Sequence, residues 1–168
     1  MTSSIPNGGT PVSTDDYVAI SRLVNRYSDA VIHRNGAQWA SCWDEDAVWD
    51  LGKGRLVAGK EAIVGLWYAA MGGMSAVIQH AHNGDAWYED GSHDRAVGRW
   101  AISERFLTAT GTRAVLLAEY HDGFVKKDGR WLFSRRFLQP HYQGPADLSA
   151  EFANTKDGLV SVEERPDV

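Results

Sequence analysis

The chain contains one cysteine, Cys42, so no internal disulfide can form. Its neighbours Trp39, Ala40 and Trp43 point to a buried structural thiol rather than a reactive nucleophile. No Cys/His spacing resembles a zinc site. No basic run exists. The 17 Lys and Arg are scattered among 22 Asp and Glu, for a net charge of -5, which leaves nucleic-acid binding without an electrostatic footing. No apolar run approaches the ~20 residues of a membrane span. No glycine-rich nucleotide loop is present, and no internal repeat. Residues 1–13 are rich in Ser, Thr, Gly and Pro, with neither the basic start nor the apolar stretch of a leader, and read as a disordered tail. A cytoplasmic soluble protein is expected, with no cofactor, no metal, no nucleic-acid partner and no membrane partner.

What is present is one domain's worth of chain: 168 residues, 43% hydrophobic, with seven tryptophans. Tryptophans bury large surfaces. They serve both as core filling and as lining for apolar ligand cavities.

Ser13-Thr14-Asp15-Asp16 is a helix start, with a hydroxyl cap and acids in the first turn. Tyr17, Ile20, Val24, Tyr27 and Val31 then recur at helical spacing, and Asn35-Gly36 ends the run. A short second helix is predicted over 37–43. A hairpin follows, 47–51 with 56–58 across the turn Gly52-Lys53-Gly54-Arg55. A third helix starts at Gly59-Lys60-Glu61 and stops at Gly72-Gly73. From there the period is two. Strands are predicted at about 77–89, 94–108, 113–126 and 130–142, joined by short turns that force antiparallel pairing. The predicted class is α+β, with N-terminal helices packed on one face of a curved antiparallel sheet. The domain should span 14–143. Residues 144–168 form an extension, with one short helix between Pro145 and Ala153 and then a tail.

The segment Val77–Trp87 carries the densest chemistry, since two histidines, a Gln and an Asn fall on a strand. By alternation, Ile78, His80 and His82 share one face, while Val77, Gln79 and Ala81 share the other. Two imidazoles on one face are either solvated or aimed into a cavity, where they could move protons near neutral pH.

The order of elements resembles the nuclear-transport-factor-2-like superfamily, and within it the SnoaL-like branch of polyketide cyclases, scytalone dehydratase and hexachlorocyclohexane dehydrochlorinase. The markers are Tyr27-Ser28-Asp29, Trp39, Asp44-Glu45-Asp46-Ala47-Val48-Trp49, His80 ahead of Asp90-Gly91, Ala96-Val97-Gly98-Arg99-Trp100, and Tyr120-His121-Asp122 through Asp128-Gly129-Arg130-Trp131 to Arg136. The resemblance covers roughly Asp15 to Tyr142. It implies a cone-shaped sheet wrapped around helices over a deep apolar pocket, and a dimer or trimer of identical chains.

It also implies roles for individual residues. His80 falls where the dehydratases and the dehydrochlorinase place their base. The carboxylate that orients that base is replaced here by Asn35, which can fix a tautomer but cannot support an imidazolium by charge. Arg136 matches a pocket arginine, with Glu119 as a plausible structural partner if it belongs instead to a sheet ion pair. Tyr27 could donate from the apolar stripe, and Asp29 could rebuild the missing acid. Trp49, Trp67, Trp100 and His82 are candidate substrate contacts, with Trp87, Tyr68 and Met71 as further lining. The resulting expectation is a cofactor-independent lyase or isomerase, a dehydratase or cyclase acting on a hydrophobic small molecule. The alternative is a binding or assembly module on the same fold. Epoxide hydrolysis is a weaker option, since the paired carboxylates it uses do not stand at pocket spacings.

Overall fold

The computed structural model describes residues 9–153. The tails expected over 1–8 and 154–168 lie outside the described residues. Helix α1 spans Thr14–Ile32, and the Ser13 hydroxyl accepts from the Asp16 backbone N–H at 3.2 Å. Ile20, Leu23, Val24, Tyr27, Ala30 and Val31 form its buried stripe, as the helical spacing requires. Arg34 ends it with φ 52. The Arg34 guanidinium then donates to the Met71 and Met74 carbonyls, at 3.0 and 2.7 Å, tying the end of α1 to the elements that follow.

Helix α2 (Gly36–Ala40) is shorter than predicted. Trp43 leaves it to open strand β1 (Trp43–Asp50). The cause is long-range pairing. Trp43 stands beside Phe133, and the Phe133 N–H donates to the Cys42 carbonyl at 2.9 Å. After β2 (Leu56–Ala58) comes α3 (Lys60–Gly72), then β3 (Met74–Tyr88), β4 (Arg95–Thr108), β5 (Arg113–Lys127) and β6 (Arg130–Gly144). They form one six-stranded sheet in the order β2-β1-β6-β5-β4-β3. The β3–β6 meander is antiparallel, as the turns dictate, and β1 joins β6 in parallel. The fold is the expected α+β one, a curved sheet on N-terminal helices, with α1 packed against β3 and β6.

The core is aromatic. The Trp39 ring lies 4.9 Å from Trp67, 5.3 Å from Tyr27 and 5.3 Å from Trp43, centroid to centroid. Such pairs add about 0.5–1.5 kcal/mol each beyond their burial. Cys42 is fully buried within this group, and burial pushes its thiol up to about 11, in keeping with a structural cysteine.

Two local expectations are corrected. Residues 9–13 are ordered: Pro11 bridges to Trp87, Val12 N–H donates to the Ala86 carbonyl, and Tyr88 N–H donates to the Thr10 carbonyl. As the outer strand of the sheet, β3 has backbone groups open to such pairing. No helix forms between Pro145 and Ala153. The Tyr142 hydroxyl donates to the Pro145 carbonyl at 2.6 Å and accepts from the Ala150 N–H at 3.3 Å, Leu148 has φ 61, and Phe152 bridges back to Tyr142. Among the described residues, no helix is long and apolar enough to cross a membrane.

Candidate functional site

Strand register decides which side chains face the helices. Gln79 stands opposite Glu104, and Glu104 opposite Leu116. Residues directly opposite share a face, so Gln79 and Glu104 lie side by side on the inner, concave surface. The Ser28 hydroxyl on α1 reaches down to the same point. It donates to Gln79 Oε1 at 3.0 Å. Gln79 Nε2 then donates to Glu104 Oε2 at 2.9 Å and to the Tyr120 hydroxyl at 3.3 Å. Gln79 is 3% exposed, so this one amide organises three polar groups inside the cone.

Burial raises the Glu104 carboxyl above its ordinary value, and the Gln79 hydrogen bond offsets only part of that rise. Among the described residues no cation is paired with Glu104. Burial likewise holds Tyr27 and Tyr120 protonated, with Tyr120 well above the usual phenol value. The strip therefore contains a carboxyl whose proton affinity burial raises and two phenols that keep their protons.

Arg136 lies further along the same inner surface, opposite Asp122. Its Nε and Nη2 donate to the two Asp122 oxygens at 2.7 and 2.8 Å, and both residues are fully buried. The guanidinium carbon sits 3.7 Å from the Tyr120 ring centre, 3.9 Å from Phe133 and 4.2 Å from Tyr27. Burial alone would push the Asp122 carboxyl up. The two-pronged contact with Arg136 is nevertheless that of an ionised pair, and it holds Arg136 firmly protonated.

The expected partner for Arg136, Glu119, is on the opposite face. There it accepts from His121 at 2.8 Å and lies near Arg99 and His141. Arg136 is thus the centre of a buried sheet ion pair, and only its Nη1 lacks a hydrogen-bond partner.

The structure does not bring His80 and Asn35 together. His80 is exposed on the outer face of β3, where it pairs in register with Ser103. His82, also outward, contacts Ser103 Oγ at 2.8 Å. Asn35 is the N-cap of α2, its side-chain oxygen accepting from the Gln38 N–H at 3.0 Å. Asp29 is exposed, bonded to Gln38 Nε2 at 2.7 Å and close to His33 at 3.4 Å, so it does not turn inward. Tyr27 is buried among aromatic rings as well as beneath Arg136. Trp67 and Trp100 are core residues, Trp67 stacked on Trp39 and Trp100 packed over Gly84. Among the predicted contacts, Trp49 lines one cavity, and Trp87 lines another, of about 260 Å³, beside Arg99 and Glu119.

Sequence reasoning missed Ser28, Gln79, Glu104, Tyr120 and Asp122 as a group. One signal was available: Gln79 is the polar residue between Val77 and Ala81 on the apolar side of its strand.

The cavity that Trp49 lines has a volume of about 490 Å³. It lies where β1 ends and β6 continues, under the β1–β2 turn, and Tyr120 contributes to its wall. Tyr120 thus touches both the cavity and, through Gln79, the Glu104 carboxyl. Among the described residues no cluster of His, Cys, Asp or Glu is arranged to hold a metal ion.

A curved six-stranded sheet packed on N-terminal helices is the nuclear-transport-factor-2-like fold. Within that class the chain belongs to the SnoaL-like domain family, which matches residues 12–137. Solved structures of the same fold include a type 2 hexachlorocyclohexane dehydrochlorinase, 22% identical with a TM-score of 0.68 over 83% of this chain and 93% of that one. A candidate scytalone dehydratase from Novosphingobium aromaticivorans is 21% identical, with a TM-score of 0.69 over 86% and 94%. A candidate aromatic ring hydroxylase from the same organism is 20% identical, with a TM-score of 0.71 over 79% and 94%. At these identities the likeness is one of fold, and the different activities in their names fit the general rule that fold does not fix function. No curated protein matches the chain.

Proposed function

We propose that the protein is an acid–base enzyme of the lyase or isomerase type, acting on a hydrophobic small molecule inside the cone, with Glu104 as its proton carrier. The observation that carries this reading is the Glu104 carboxyl itself. It is partly buried on the concave face, raised by that burial, unpaired with any cation among the described residues, and fixed by Gln79 at 2.9 Å. A carboxyl whose proton affinity is raised is a stronger base than a free one and can return the proton it takes.

In an elimination, ionised Glu104 removes a proton from carbon next to an activating carbonyl. The electron pair forms the new double bond as the neighbouring C–O bond breaks. The proton then passes from Glu104 to the departing oxygen, so that water leaves and the carboxylate is regenerated. Ser28 and Gln79 act as positioning residues: Ser28 fixes the amide, and the amide fixes the carboxyl. His80, which the family resemblance puts forward as the base, is on the water-exposed face and does not enter this scheme.

The test is turnover by purified wild-type protein and Glu104→Gln on a panel of aryl β-hydroxy ketones, followed by proton NMR in heavy water. Loss of about 10²–10⁴-fold in Glu104→Gln is expected. Full turnover by that variant refutes the assignment. A binding module on the same fold is the second reading, favoured by the neutral Gln79 amide at the centre of the strip; it predicts ligand binding with no exchange or product for any variant.

A further inference from the structure

The proposed activity leaves the chemistry of the substrate open, and the cavity under the β1–β2 turn narrows it. Trp49, Leu51, Phe137, Leu138 and Pro140 give it an apolar body. A volume of about 490 Å³ is in the range that accommodates a small organic molecule, roughly 300–1,000 Å³. The rim is different. It is formed by the tight turn Leu51–Arg55, in which Leu51 N–H donates to the Arg55 carbonyl at 2.9 Å and Arg55 N–H to the Gly52 carbonyl at 3.1 Å. Gly52, Lys53 and Gly54 all have positive φ, so the chain reverses within the turn and places Lys53 at its tip.

Three charged residues besides Arg135 define the local balance. Asp50 is the carboxylate of this wall, and it is already engaged. One oxygen accepts the Gly52 N–H at 2.8 Å, and the other takes Arg135 Nη2 at 2.6 Å. Lys53 and Arg55 also line the cavity, and among the described residues neither side chain has a carboxylate partner. A chain with net charge -5 would in general repel an anion. At this rim the local sign is reversed, with two cations over an apolar chamber and the nearby acid neutralised by Arg135.

From this arrangement we infer that the cavity binds an amphipathic organic acid: an aromatic or alicyclic body in the chamber and a carboxylate at the Lys53–Arg55 rim. The inference rests on the reading of the cone as a small-molecule site, and it adds the anionic group that this reading does not specify. Apolar contact with Trp49 and Phe137 holds the body. The rim selects the charged end by attraction that salt screens over about 8–10 Å, as for any exposed charge pair. Tyr120, in the chamber wall, keeps its proton and so adds no negative charge opposite the ligand.

The experiment compares 2-naphthoate with neutral 2-naphthamide on the full-length chain, by calorimetry at low and high salt. Wild type is expected to bind the acid about 5–20-fold more tightly than the amide, with the preference falling toward unity in high salt. The double variant Lys53→Glu/Arg55→Glu should lose or invert that preference while keeping its circular dichroism, since both side chains are exposed in a turn. Equal binding of acid and amide by wild type, no binding of either, or an unchanged preference in the charge-reversed variant overturns the inference. Because these readouts are binding and not turnover, an inactive wild type that still selects the acid refutes the catalytic reading alone. A Glu104-dependent turnover without acid selection refutes this one alone.

Discussion

Gln79 and Glu104 stand directly opposite one another on adjacent antiparallel strands, joined by a 2.9 Å hydrogen bond on the concave face of the sheet. Since Gln79 also accepts from the Ser28 hydroxyl and donates to Tyr120, it couples helix α1, the carboxyl and the cavity wall. The pairing has a consequence for stability as well as for chemistry. The folded protein holds the Glu104 proton to a higher pH than the unfolded chain, which releases it near the ordinary value of 4.5. Between those two points the folded state binds more protons, so stability falls as pH rises through that window and then levels off. Glu104→Gln keeps an acceptor for Gln79 and removes the titration. Denaturation midpoints for this variant should therefore lack the downward step expected of wild type from about pH 4.5 upward.

Asp16 predicts the opposite slope. It accepts from the Tyr88 hydroxyl at 2.5 Å, from Lys126 Nζ at 2.8 Å and from Trp131 Nε1 at 2.8 Å, fastening α1 to the far strands. These bonds outweigh its desolvation and hold its carboxyl well below the usual 3.8. The contribution is complete above 3.8 and is lost as pH falls through the folded value. Asp16→Asn should cost about 2–3 kcal/mol at pH 7, as expected for charged hydrogen bonds lost in a buried setting. Its acid-unfolding limb below pH 4 should be flatter than that of wild type.

The Arg136–Asp122 pair gives a third expectation. Removing only the acid, as in Asp122→Ala, strands a guanidinium that is fully buried and should cost about 3–5 kcal/mol. Replacing both partners, as in Asp122→Leu/Arg136→Met, should be less damaging than the single change, because no unpaired charge is left. Urea melts of the three proteins check the order. A single variant as stable as the double one would contradict it.

His80 provides a contrast. Its side chain is on the outer face and exposed, so His80→Ala should change stability by no more than about 0.5 kcal/mol. Turnover should be unchanged wherever Glu104→Gln abolishes it. Parallel assays of the two variants separate the sequence-derived base from the structural one.

The helices and the meander were legible because their signals are local. Ser13 and Asp16 mark a cap, and the turns at Asp90-Gly91 and Asp128-Gly129 fix antiparallel pairing over short distances. The residues forming the site were less legible because their faces depend on register. Strict alternation along β3 puts His80, His82, Ala86 and Tyr88 together. A bulge between Ala81 and Gly84 instead moves the buried set from Val77 and Gln79 to Ala86 and Tyr88, with Gly84 tucked beneath the Trp100 ring. Nothing in the local sequence announces a pairing irregularity made with another strand. Asn35 misled for a related reason: its position near the end of α1 fits a pocket role, but the start of α2 claims its side chain as a cap. Trp43 falls inside the predicted second helix because the strand it pairs with, at Phe133, lies far away in sequence.

The most direct test of the central claim is the titration of Glu104 itself, observed through the side-chain carboxyl carbon by NMR of protein labelled at glutamate, with Glu104→Gln used to assign the signal. A carboxyl titrating clearly above 4.5, and shifting downward when Gln79 is left in place but the protein is unfolded, is the predicted result. A Glu104 signal that titrates at or below 4.5 in the folded protein would contradict its role as the proton carrier.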